Sequence, residues 1–139
     1  MASSLLALHN AVVAALQGAT GIETVEDHPA KVEDWLAGLR GRPLPSVHVA
    51  AESELAPHTV DGEYAETTAW TLVTVFPQIG STVSQYTVLR DALVAALETD
   101  YTFGGLCDVS GVTGSKLTAQ ESEFQQFALT FTATQYWTP

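Results

Sequence analysis

The stretch "FQQFALTFTATQYW", residues 124–137, decides the fold, because it alternates almost without a break. Phe127, Leu129, Phe131, Ala133 and Trp137 point one way, with Gln135 the one polar member of that row. Ala128, Thr130, Thr132, Thr134 and Tyr136 point the other way. A period of two over this length predicts a long strand with one apolar face and one threonine face. The apolar face reads as core, and the threonine face asks for a role.

The same reading extends back along the chain. Leu5, Leu8, Val12 and Leu16 recur at helical spacing over residues 4–17, with Ser3 or Ser4 as N-cap and Gly18 where a helix would stop. "GIETVEDHP" predicts a short strand closed by Pro29, and "KVEDWLAGL" a short helix burying Val32, Trp35, Leu36 and Leu39. A rigid turn, "RGRPLP", leads to a strand at Ser46–Ala51. From Glu52 to Glu66 there are five acids (Glu52, Glu54, Asp61, Glu63, Glu66), no Lys or Arg, one Pro and one Gly. That composition predicts a mobile loop or hairpin tip.

"ETTAWTLVTVFP", residues 66–77, carries Trp70, Leu72 and Phe76 on one face and Val73 and Val75 on the other, which fits a central strand or a face hidden by another subunit. Thr82 and Gln85 have capping-box spacing and open a third helix with Leu89, Leu93, Ala96 and Leu97 as its stripe. "YTFGGLCDVSGV" turns at Gly104–Gly105 into a further strand, and "TGSKLTAQES" predicts a polar hairpin connection to the final one. The order α-β-α-β-β-α-β-β, with strands in adjacent pairs, predicts a two-layer α+β domain over residues 1–139: a mainly antiparallel sheet with helices on one face.

Composition narrows the functions. Five Lys/Arg against sixteen Asp/Glu give a net charge of −11, and Arg40 and Arg42 are the one close basic pair. A phosphate backbone needs clustered cations, so direct nucleic-acid binding is not expected, while an acidic wall that repels DNA is compatible with this charge. The single Cys107 rules out an internal disulfide. "LLALHNAVVAAL" is interrupted by His9 and Asn10 and lacks a basic flank, so neither a signal peptide nor a membrane span is expected.

No catalytic constellation emerges. His9, His28, His48 and His58 are scattered, one to an element or loop, where metal ligation needs convergence. Asp27–His28 are strand neighbours facing opposite sides. "DVSGVTGS" lacks the first glycine of a nucleophile elbow, "GVTGSK" lacks the phosphate-loop ending, and G-x-G-x-x-G is absent. Cys107 after a Gly–Gly turn reads as a small apolar residue, and Glu33–Asp34 as a wet helix face. The expectation is a protein without catalytic residues, metal or cofactor.

The layout "LLALHNAVVAAL", "VEDHP" plus a short helix, "RPLPSVHVAAES", "AWTLVTVF", "YTVLRDALVAALE" and "FALTFTATQYW" resembles the phage tail-terminator proteins, those of Mu-like phages in particular and the lambda and gene-transfer-agent terminators more loosely. The resemblance covers most of the chain and rests on the order and spacing of these pieces. It implies a structural virion protein of the head–tail junction, assembled in the host cytoplasm. Such a protein forms a ring, usually a hexamer, that caps the finished tail tube and docks the head-side connector or neck protein. DNA passes through without specific binding, and no cofactor is implied. The acidic stretch Glu52–Glu66 has no fixed counterpart in that pattern.

On this reading the threonine face is a lumen wall or a subunit contact, and the interface residues are expected near Trp70–Phe76 and Thr130–Tyr136, with Thr130, Thr132 and Thr134 foremost. Arg40 and Arg42 of one subunit are candidate partners for the acids at 52–66 of the next. Two other readings stay open: another head–tail connector or tail-tube subunit, and a small α+β enzyme or ligand-binding domain.

Overall fold

The computed structural model describes residues 3–27, 31–38, 43–57, 62–77, 80–121 and 124–138. Three helices, α1 (Leu5–Gln17), α2 (Val32–Ala37) and α3 (Thr82–Leu97), accompany five strands: β1 (Thr24–Asp27), β2 (Ser46–Pro57), β3 (Tyr64–Pro77), β4 (Val109–Glu121) and β5 (Phe124–Trp137). The strands form one sheet in the order β1-β2-β3-β5-β4. The β1–β2 pair is parallel and every other pair is antiparallel. The α+β class and the chain order of elements follow the sequence patterning.

The alternation in β5 is realised residue by residue. Phe127, Leu129, Phe131, Ala133 and Gln135 are buried, and they meet Trp70, Leu72 and Phe76 of β3 and Val47 and Val49 of β2 on the same face. α1 and α3 cover that face with Leu8, Val12, Leu16, Leu89, Leu93 and Leu97. Core aromatics meet at tilted or edge-on angles, Trp70 against Phe131 at 5.7 Å and Tyr86 against Phe127 at 5.0 Å between ring centres, which suits their quadrupoles.

Three local expectations are corrected. The short helix α2 does not join α1 and α3: its Trp35 packs on Val75, with Val73 and Phe124 alongside, on the opposite face of the sheet. Val73 and Val75 are thus explained as a second, smaller core rather than as a subunit contact. Helix α3 is capped by Ser81, whose hydroxyl accepts from the Ser84 N–H, and Thr82 is its first helical residue. Both "loops" flanking the central strands are largely strand. Residues 50–57 continue β2 against Tyr64–Thr71, and "TGSKLTAQE" is the body of β4. An edge strand is wetted on more sides than a central one, so its composition reads as polar even while it is paired on one side.

Candidate assembly surface

Beyond the patch under α2, the second face of the sheet carries no helix among the described residues. Its rows follow from the register. One row is Ala50, Thr71, Thr130 and Gly114; the next is Glu52, Ala69, Thr132 and Gly111; the third is Glu54, Thr67, Thr134 and Val109. These twelve residues are nearly all small. The threonines bond one another across strands: Thr67 to Thr134 at 3.2 Å and Thr113 to Thr130 at 2.8 Å, while the Thr130 hydroxyl also reaches the Gly114 carbonyl. Hydroxyl pairs of this kind stabilise a strand pairing without apolar cover.

The anticipated residues are distributed unevenly over this surface. Thr130, Thr132 and Thr134 stand on the bare face, half-exposed, and Glu52 and Glu54 stand on it at the β2 side, exposed. They are strand residues paired with Ala69 and Thr67, which corrects the expectation of a loop there. Cross-strand pairing to a threonine-rich partner outweighs the weak strand preference of glutamate. Glu63 is half-buried just ahead of β3. Trp70 is fully buried, with no side-chain surface to offer a neighbour. Arg40, Arg42 and Asp61 lie outside the described residues, as do His28 and His58.

Glu66 faces the helix side instead, in a polar cluster that the residue pattern hardly signals. Gln135 Nε2 donates to the Glu66 carboxylate at 2.9 Å, and Ser3 Oγ donates to the same oxygen. Gln135 Oε1 accepts from the Ser4 backbone N–H at 3.0 Å and the Ser4 hydroxyl at 2.7 Å. The cluster ties the start of α1 to β3 and β5, and it sets a carboxylate beside a helix N-terminus, where the helix dipole favours negative charge. The one visible hint was the polar break at Gln135 in an otherwise apolar row.

A second polar chain runs beneath α1. Trp70 Nε1–H donates to His9 Nδ1 at 3.0 Å, and His9 Nε2 meets Asp27 at 2.9 Å. With Nδ1 occupied as an acceptor, the neutral ring carries its proton on Nε2. His9 and Asp27 are therefore an α1–β1 tie. Asp100 accepts from the backbone N–H groups of Thr102 and Gly104, which hold its carboxyl below the usual range. Burial pushes the Cys107 thiol up. Among the described residues no three of His, Cys, Asp and Glu converge as a metal-binding group, and no helix is long and apolar enough to cross a membrane.

No protein-family model and no curated protein matches the sequence. Among solved structures, the chain is similar to one from the virion of a native gene transfer agent (GTA) particle. The TM-score is 0.41 and the identity 10%, over 97% of this chain and 92% of that one. A likeness this remote carries no argument about function.

Proposed function

We propose that this chain is a structural protein of a phage-like virion, a tail terminator that closes the completed tail tube as a ring and presents a docking surface to the head-side connector. The observation that carries the reading is the bare face: a threonine–alanine–glycine sheet surface, with Glu52 and Glu54 at its β2 margin and no cation in its three rows, that no described helix covers. Wall or contact surfaces of a conduit need such a face, since small hydroxyl-bearing side chains keep water without presenting cations to a polyanion. The net charge of −11 and the layout resemblance support the same reading.

On this reading the ring is a homo-hexamer at the head–tail junction, the partners are the tail-tube protein and the neck protein, and DNA slides past without specific contact. Function lies in interfaces, with no catalytic residue or cofactor. Thr132→Lys tests this directly, because it adds a long cation to the centre of the bare face without touching the core row. The expected outcome is a normally folded protein that fails to cap tails. Wild-type capping by a folded Thr132→Lys variant would remove the bare face from the function.

A further inference from the structure

Three large side chains that the chain leaves in solvent gather in one place. Tyr101 is 60% exposed, Val109 52% and Tyr136 41%, and they share the end of the sheet where β5 finishes and β4 begins. We propose that this corner is a docking surface for a segment of another protein that carries arginine or lysine. Tyr101 and Tyr136 are its anchors, and the carboxylates of Asp100 and Asp108 are its charge partners.

Hydrogen bonds assemble the corner. The Tyr101 carbonyl accepts from Ser110 Oγ at 2.6 Å and from the Cys107 thiol at 3.3 Å, which seats the turn after α3 against the start of β4. The Asp108 N–H donates to the Thr134 carbonyl at 2.9 Å, and Asp108 Oδ2 accepts from the Tyr136 N–H at 2.7 Å. These two bonds fix the start of β4 beside the end of β5. Val109 is the cross-strand partner of Thr134 in the same corner. Next to Tyr136 along β5, Trp137 lies against Tyr64 with ring centres 5.3 Å apart, and its shielded Nε1–H has no acceptor.

Each exposed tyrosine stands beside a carboxylate that the backbone holds in place. Asp100 precedes Tyr101 and accepts from the N–H groups of Thr102 and Gly104 at 3.0 and 2.8 Å. Asp108 is held by the Tyr136 N–H, and both carboxylates remain exposed. A tyrosine next to a fixed carboxylate suits a cation, because the negative ring face attracts it and the carboxylate bonds it. The chain contains one such unit already filled. The Arg90 guanidinium lies 5.1 Å over the Tyr86 ring and meets Asp91 at 2.9 Å.

Charge selects the same partner class. Glu98 caps the end of α3 and leads into the Asp100 turn, so three exposed acids share this corner with the tyrosines. The described cations lie elsewhere. Lys116 is level with Ala128, Val73 and His48, Arg90 is on Tyr86, and Lys31 precedes α2, whose Trp35 packs on Val75. Residues 58–61, which join β2 to β3, contain no Lys or Arg. An aromatic patch with an acidic rim attracts a basic segment and repels an acidic one, and tyrosine is a favoured interface anchor. The same charge turns away nucleic acid, which aromatic stacking alone would suit. This contact goes beyond the terminator reading and needs no ring, since one chain supplies every group in it.

Peptide titration of the full chain tests it. A short peptide alternating Arg and Gly is added to isotope-labelled protein, beside peptides with Ser or Glu in place of Arg. The chain has three tryptophans. The Arg peptide is expected to move the indole signal of Trp137 and the amides of residues 100–110 and 134–138, and to leave the indoles of Trp35 and Trp70 in place. Tyr101→Ala is expected to weaken binding about two- to fivefold. Asp108→Asn keeps an acceptor for the Tyr136 N–H but loses the charge, and should weaken it by a similar factor of about two to five. Asp34→Asn, on the exposed side of α2, makes the same change in net charge and is expected to leave binding as it was. Shifts spread over the whole surface, with Asp34→Asn as damaging as Asp108→Asn, overturn the site, because binding is then general attraction to an acidic protein. A Ser or Glu peptide that binds as tightly overturns the partner class. No shift with Arg peptide up to about 1 mM overturns both. None of these outcomes touches tail capping by the Thr132→Lys variant, so this contact and the terminator reading fail separately.

Discussion

Replacing Gln135 with leucine completes the apolar row of β5, and a reader of the pattern alone would expect a more stable protein. The structure reverses the sign. Gln135 is 4% exposed and bonds the Glu66 carboxylate and both the N–H and the hydroxyl of Ser4. The bond to the carboxylate is charge-assisted and contributes about 2 kcal/mol, and the two at Ser4 about 1 kcal/mol between them, because the Ser4 hydroxyl is shared with the Leu106 carbonyl. Leucine returns roughly 1 kcal/mol of apolar burial. The net cost is about 2 kcal/mol. For a chain of 139 residues the unfolding entropy is about 0.3 kcal/mol per kelvin, so Tm should fall by about 7 °C. Alanine, which returns almost nothing and leaves a void, should cost about 3 kcal/mol or more. Thermal and urea unfolding followed by circular dichroism measure both, and Ser4→Ala should lose less than either. A Gln135→Leu protein as stable as the parent, or more so, would refute the argument that the cluster holds α1 to the sheet.

Three further outcomes are expected. Long-range proton–nitrogen correlation spectra should show neutral His9 with its proton on Nε2, and Trp70→Phe should mix the tautomers by removing the Nδ1 donor. Asp100 is held below its ordinary 3.8, so its contribution is present above that value and disappears as pH falls through the lower, folded one. The stability gap between the parent and Asp100→Asn should therefore close in strong acid, and a gap that persists there would contradict the backbone-bonded carboxylate. Cys107 is buried with its thiol pushed up, so a disulfide reagent at pH 8 should modify it only as fast as the protein opens, and in a single burst once denaturant is added.

Local physics carried much of this protein in plain view. The twofold period of residues 124–137 and the helical spacing of Leu5, Leu8, Val12 and Leu16 are properties of neighbours along the chain, so the long strand, the first helix and most of the core could be read directly. What failed to be legible depended on partners distant in sequence. Glu52 and Glu54 resemble loop residues until β3 supplies Ala69 and Thr67 opposite them, and the Lys116 segment resembles a connection until β5 pairs with it. Gln135 looks like a flaw in the pattern because Ser4 stands 131 residues away. Trp35 announces a buried helix face, but only the crossover between parallel β1 and β2 decides which side of the sheet receives it. The threonine face itself was written in the sequence; that its rows stay bare, and that Asp108 and Tyr136 meet at one end of the sheet, belonged to the tertiary structure, because register is a relation between strands and no single strand contains it.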